Sequence, residues 1–242
     1  MSNGIFNLPM LYSDKRRPVQ MHKRSYRKRR KKQKALRLLG CIVLLVIIIF
    51  AIVKMTDFVH NGIGSRQQAT TDQPAFDVDL LTVNEYSRPG IERDKINGIV
   101  IHYTANPGSS AKQNRDYFEG LKDTKITKAS SHFIVGIDGE IIQCVPTAEI
   151  AYASNDRNID TISIECCHPD ETGKYTDATY DALVELVAWL CGKFDLQTED
   201  IIRHYDVTGK ACPLYFVEHE EEWNRFKQDV QEYINKHGKK IK

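Results

Sequence analysis

Residues 98–121 read GIVIHYTANPGSSAKQNRDYFEGL. The first six are a short apolar run, and the Thr104-Ala105-Asn106-Pro107-Gly108 that follows is polar and turn-forming, so 98–103 is expected to be a buried strand that ends in a loop. Ser110 then offers a hydroxyl to cap a helix, and apolar side chains recur at helical spacing up to Leu121. A strand followed directly by a helix is the opening unit of an α/β arrangement.

The rest of the body extends the same alternation. The runs 132–137 and 140–145 flank Asp138-Gly139, a strong hairpin signal because both residues tolerate the turn's left-handed backbone. Residues 161–166 (TISIEC) alternate as a further strand. Residues 177–194 carry Leu183, Leu186, Val187 and Leu190 on one helical face, with Trp189 expected in the core. A short strand at 201–204 and an amphipathic helix at 219–234, built on Trp223, Phe226, Val230 and Ile234, complete the series. Strands and helices interleaved with one hairpin predict an α/β fold, a mixed central sheet flanked by helices.

Within that frame, three residues stand where metal ligands would. His102 closes the first strand, His204 closes the last, and Cys212 lies eight positions further on. Histidine and cysteine are the ordinary zinc ligands, and a catalytic zinc keeps three protein ligands plus a water. Taken singly, each histidine reads more simply as a satisfied structural residue. The flanking residues change that balance: Ile99-Val100-Ile101-His102-Tyr103-Thr104-Ala105-Asn106, Ser131-His132-Phe133-Ile134-Val135, Thr161-Ile162-Ser163-Ile164-Glu165, and Arg203-His204-Tyr205-Asp206-Val207-Thr208-Gly209-Lys210-Ala211-Cys212-Pro213 occur in this order and spacing.

Together these four segments closely resemble the zinc-dependent N-acetylmuramoyl-L-alanine amidases of type 2, the family related to phage amidase lysozymes and peptidoglycan recognition proteins. The resemblance covers residues 83–234. It implies one zinc per chain held by His102, His204 and Cys212, with Lys210 as the cation beside the scissile carbonyl and Glu165 as general base. A branch of the family uses a tyrosine just before the His-Phe pair instead. That position is Ser131 here, which shifts weight to Glu165. The implied reaction is hydrolysis of the amide between the lactyl group of N-acetylmuramic acid and the L-alanine of the peptidoglycan stem. Many relatives carry an aromatic-His pair before the SIxIE strand; the aligned stretch here, Ala151-Tyr152-Ala153-Ser154-Asn155-Asp156, has no histidine. Tyr152 and Asn155 are therefore expected to take over that substrate contact, with Tyr103 and Asn106 as further substrate-binding candidates. The alternative is a binding module of the same fold that recognises peptidoglycan without cutting it, which predicts the loss of a ligand. His132 and His168 are read as structural residues or as outer partners of the ligands, not as ligands themselves.

The charge pattern separates this body from what precedes it. The net charge of +2 is a sum of two unlike parts: residues 1–37 hold 13 of the 34 Lys and Arg and one acid, whereas the other 205 residues hold 21 basic and 31 acidic side chains. Residues 38–53 contain no charged side chain, and with Lys54 snorkelling the run reaches 55, about 27 Å of helix at 1.5 Å per residue. That is close to the thickness of a hydrocarbon layer, and the run shows no polar face, so 38–55 is expected to be one transmembrane helix. The basic cluster at 24–37 places 1–37 as a cytoplasmic tail and sends the body outward to face the cell wall. Topology and anionic lipid explain that cluster more simply than nucleic acid does. Residues 56–75 are expected to be a linker, 76–236 the zinc amidase domain and 237–242 a basic C-terminal tail. The domain is expected to act as a monomer, drawing its affinity for an often anionic wall from the cleft around Lys210, not from bulk charge.

Six cysteines would permit disulfides in an exported domain. Cys41 falls in the apolar run and Cys212 is assigned to metal, leaving Cys144, Cys166, Cys167 and Cys191, expected as free and mostly buried thiols. Cys166 and Cys167 are adjacent on a strand and must face opposite sides of the sheet.

Overall fold

The computed structural model describes residues 29–32, 36, 38–40, 43–49 and 69–240. The chain divides into two compact units, 1–66 and 67–242. In the first unit the described residues are helical and exposed. Most of the expected linker and the expected span's residues 41, 42 and 50–55 lie outside the described residues. Among the described residues no helix is long and apolar enough to cross a membrane.

The second unit is built on a six-stranded mixed sheet. Its strands are β2 (Asp77–Val78), β3 (Gly98–Tyr103), β4 (Phe133–Val135), β5 (Ile141–Gln143), β6 (Thr161–Cys166) and β7 (Ile201–Arg203), in the spatial order β2-β5-β4-β6-β3-β7. β3 lies between β6 and β7 and runs parallel to both, β4 runs parallel to β6, and only the β4–β5 pair is antiparallel. Strands buried on both faces read as continuous apolar runs, which is why 98–103 shows no alternation: Ile99, Val100 and Ile101 are all fully enclosed.

Helices cover both faces. On one, α2 (Asp177–Phe194) and α5 (Glu220–His237) pack Leu183, Leu186, Val187, Leu190, Trp223, Phe226 and Val230 against Ile99, Ile101, Phe133, Val135, Ile162 and Ile164. On the other, α1 (Ala111–Thr124) sets Phe118 and Leu121 against Ile134, Ile142 and Cys144. The two-residue period of the strand decides these allegiances, sending Phe133 and Val135 one way and Ile134 the other. Each fully buried Leu, Ile or Phe contributes roughly 1.5–3 kcal/mol by its removal from water.

Local chemistry explains where the elements begin and stop. Ser110 accepts from the Gln113 backbone N–H while the Gln113 side chain accepts from the Ser110 N–H, a reciprocal cap that starts α1. Thr176 starts α2 with a one-way cap, its hydroxyl accepting from the Thr179 N–H, and both helices end on a left-handed residue, Lys125 and Asp195. The hairpin turn occupies residues 136–140, with Gly139 at φ +85°; a Cβ there would stand 2.9 Å from the Ala178 carbonyl oxygen, so glycine is required twice over.

Two features extend the body past its expected limits of 76 and 236. β1 (Ala69–Thr70) pairs antiparallel with β8 (Lys239–Lys240), so the end of the expected linker and the expected C-terminal tail meet. Asp72 and Lys239 form an ion pair at 2.6 Å, and Gly192 of α2 leaves room for the Thr70 backbone. Pairs of two residues carry no hydrophobic period, which is why neither strand is visible in the sequence. At the other end of the sheet, His204 does not finish β7 as expected but opens a short helix, α3 (His204–Thr208); a second, α4 (Leu214–Glu218), follows.

Candidate active site

The C-terminal ends of three adjacent parallel strands converge at one point, the usual place for chemistry in such sheets. β3 delivers His102 and, directly across the ladder, β6 delivers Glu165, so both side chains leave the sheet on the same face. β7 leads into His204 on the other side of β3. From there α3 ends at Gly209, whose φ of +77° turns the chain back, and Cys212 is held by a bond from the Tyr205 N–H to its carbonyl at 2.9 Å.

His102, His204 and Cys212 are all buried, and one donor atom from each lies within 4.8 Å of the others. The imidazole centroids are 4.7 Å apart, and Cys212 Sγ is 3.8 Å from His102 Nδ1. Ligand atoms of a tetrahedral zinc stand roughly 3.4–3.6 Å from one another, from bond lengths of about 2.0–2.3 Å, so a small contraction closes the set. Burial, reinforced by His204 and Lys210, holds the His102 imidazole well below its ordinary pKa, and burial followed by Lys210 does the same for His204. Both rings are neutral at physiological pH, the form that binds metal. Burial pushes the Cys212 thiol up to about 12, with Glu165 adding to the effect, while the Tyr103 N–H bonded to its sulfur and Lys210 oppose it. A thiolate there needs a cation. Two neutral imidazoles and a thiol awaiting positive charge form a donor set that fits zinc.

Glu165 Oε2 is buried and has no hydrogen-bond partner among the described residues. Burial raises its carboxyl to about 8, against the pull of Lys210. Lys210, exposed on the loop between α3 and Cys212, acts electrostatically on His102, His204, Cys212 and Glu165 alike. Five residues expected from the sequence are thus gathered around one spot.

The expected substrate contacts divide. Tyr103 is half-buried at the rim, its ring 5.1 Å from that of His168, and Asn106 is exposed on the loop after β3. Tyr152 is half-buried under Lys128 Nζ, 5.4 Å from the ring centroid. Asn155, exposed on the turn before β6, places its Oδ1 3.1 Å from His204 Nε2. Its neighbour Ser154, which no sequence signal distinguished, is fully buried with Oγ 3.1 Å from His102 Nε2. Tyr175, also unanticipated, donates from its hydroxyl to the His102 carbonyl at 3.1 Å.

The remaining polar core residues are tied into the body by internal hydrogen bonds, and His168 Nε2 is left without a partner among the described residues. His132 is buried between Ser163, the Glu149 carbonyl and Arg93, and its pKa falls to about 3 through burial and the Arg93 charge. His168 donates from Nδ1 to the Asp170 carbonyl at 2.7 Å. Ser131 is buried and donates to the Phe133 carbonyl. Cys144, Cys166, Cys167 and Cys191 are free and buried, and Cys166 and Cys167 join the apolar clusters on opposite faces of the sheet.

A family model described as N-acetylmuramoyl-L-alanine amidase matches residues 92–214, half of the chain. N-acetylmuramoyl-L-alanine amidase CwlL of Bacillus licheniformis is 37% identical over 168 residues, spanning 64% of this chain and 46% of its own length. N-acetylmuramoyl-L-alanine amidase BlyA of Bacillus subtilis is 32% identical over 177 residues, spanning 64% of this chain and 47% of its own. The chain thus spans about half the length of these curated relatives. Among solved structures, the catalytic domain of XlyA is 25% identical with a TM-score of 0.54, covering 65% of this chain and 99% of that domain. PlyL, at 24% identity and a TM-score of 0.57 over 65% of this chain and 97% of its own, shares the fold.

Proposed function

The chain belongs to the type 2 N-acetylmuramoyl-L-alanine amidase family, and from that premise we propose that its body hydrolyses the amide between the lactyl group of N-acetylmuramic acid and L-alanine in peptidoglycan, with one zinc per chain on His102, His204 and Cys212. The observation that carries the reading is the convergence of those three donors within 4.8 Å beside an unpartnered carboxyl oxygen.

An amide resists attack because its carbonyl is a poor electrophile and its amine a poor leaving group. Zinc, when bound, supplies Lewis acidity that polarises the carbonyl and makes water a better nucleophile near neutral pH. Glu165 takes a proton from the attacking water on Oε2 as the new C–O bond forms, then returns it to the amine nitrogen as the C–N bond breaks. A carboxyl held at about 8 without the cation, and lowered by positive charge, is tuned to the range where both transfers are feasible. Lys210 faces the negative charge that develops on the carbonyl oxygen, a contact typically worth a few kcal/mol of barrier. Tyr103, Asn106 and Tyr152 line the approach as substrate contacts.

For the N-terminal part the reading rests on sequence alone: a cytoplasmic basic tail over 1–37, a membrane span over 38–55, and a monomeric body at the outer face of the cell membrane toward the wall. Separation of membrane from soluble fractions, with protease added outside intact cells, tests it; a body that stays protected or soluble refutes it.

The activity is tested by incubating the purified full chain with cell wall. New L-alanine N-termini without new reducing sugar ends are expected. Reducing ends would make the protein a glycosidase and overturn the reading.

A further inference from the structure

The turn that precedes β6 reaches both histidines from behind. His102 Nδ1 faces the Cys212 sulfur and Nε2 lies 3.1 Å from Ser154 Oγ, so a hydrogen on Nε2 can donate to the serine and leave Nδ1 on the side of the sulfur. His204 Nε2 lies 3.1 Å from Asn155 Oδ1, an oxygen that can only accept, so that nitrogen is protonated and Nδ1 is left free. We propose that Ser154 and Asn155 form a two-residue clip that fixes the tautomer and ring orientation of both histidines for metal binding. These are positioning residues, and the proposal rests on the reading of His102, His204 and Cys212 as metal ligands.

The clip is built to hold its shape. Asn158 Oδ1 accepts from the backbone N–H groups of Ala153 and Ser154, closing the turn on itself. Arg157 Nε donates to Asp160 Oδ1 at 2.7 Å, and the Thr161 hydroxyl donates to the Arg157 carbonyl at 2.6 Å, which ties the turn to the first residue of β6. Ser154 is fully buried. Asn155 sits at φ +52°, a left-handed conformation that asparagine tolerates better than most residues, and this change of direction lets two consecutive side chains reach two different rings. Outer-shell partners of this kind typically alter metal affinity by about 10- to 100-fold when removed.

The test is zinc affinity, measured by competition with a chromophoric chelator on the full chain in detergent, with the melting temperature of the metal-free protein as a control. Asn155→Gly keeps the left-handed backbone and deletes the acceptor; Asn155→Asp keeps both. The unaltered chain should take up one zinc, Asn155→Gly and Ser154→Ala should each bind about 10- to 100-fold more weakly, and Asn155→Asp should match or exceed the unaltered affinity. Because Asn155 is exposed, its pair of variants decides the matter even if Ser154→Ala folds poorly. Affinities within about threefold for all variants, or equal weakness of the Gly and Asp forms, overturn the clip while leaving the ligand assignment intact. No zinc uptake by the unaltered chain overturns the ligand reading and the clip with it.

Discussion

Glu165→Gln should make the metal-free protein more stable at alkaline pH while disabling it as an enzyme. The carboxyl is held at about 8 by burial, against an ordinary 4.5, and its Oε2 has no partner among the described residues. A group whose folded pKa is raised binds its proton more tightly in the fold than in the unfolded chain. Its contribution is therefore fully present below 4.5 and lost as pH rises through 8. At 1.36 kcal/mol per pKa unit, the gap between 4.5 and about 8 amounts to at most about 5 kcal/mol. The glutamine amide is of similar size and neutral throughout, so it avoids that loss. Urea unfolding of chelator-treated protein at pH 5 and pH 9 provides the assay: parent and variant should differ little at pH 5, and the variant should be several kcal/mol more stable at pH 9 than the parent. The thiols near the site titrate in both proteins, and because the Glu165 charge itself raises the Cys212 thiol, its removal relieves part of that shift as well and acts in the same direction. With zinc restored, turnover should fall at least about a hundredfold, the range for loss of a general base. Parallel pH dependence in the two proteins would refute the argument, since it would mean that Glu165 folds already ionised.

Other substitutions probe the remaining parts. Cys212→Ala should reduce zinc well below one per chain by metal analysis; full retention removes the cysteine from the ligand set. Lys210→Ala should retain zinc but lower turnover by about 10²–10³, the cost of losing one oxyanion contact, and unchanged turnover would leave the lysine a solvated loop residue. Gly192→Ala places a Cβ 2.7 Å from the Thr70 Cα, so it should lower stability by about 1–3 kcal/mol as an overpacked contact does; an unchanged melting temperature would mean that the β1–β8 pair contributes nothing.

The helix 177–194 and the strands 98–103 and 161–166 were legible to the residue because their signals are local: one apolar helical face, a continuous apolar run stopped by polar turn residues, and a two-residue alternation. Elsewhere the ends shifted. The hairpin strands are shorter than their apolar runs because residues 136–140 form the turn, and His204 joins a helix because its backbone serves α3 once β7 has ended. Asn155 was expected to contact substrate, and its Oδ1 lies 3.1 Å from His204 Nε2, a contact hidden from the sequence because a polar loop residue looks the same whichever way it faces.

The amino-acid order alone determined the donor types, the alternation that assigns Cys166 and Cys167 to opposite faces, and the interleaved strands and helices, all consequences of spacing along a few turns or pleats. What only the tertiary structure decided lies across long separations. His102 and Cys212 meet because β3 is placed next to β7, Glu165 stands beside His102 because β3 and β6 share a register, and 69–70 finds 239–240 through a gap at Gly192. Ser154 reaches His102 by the same closure of the sheet. Such contacts depend on which strands become neighbours, and that is settled by packing of the whole core, not by any short stretch of the chain.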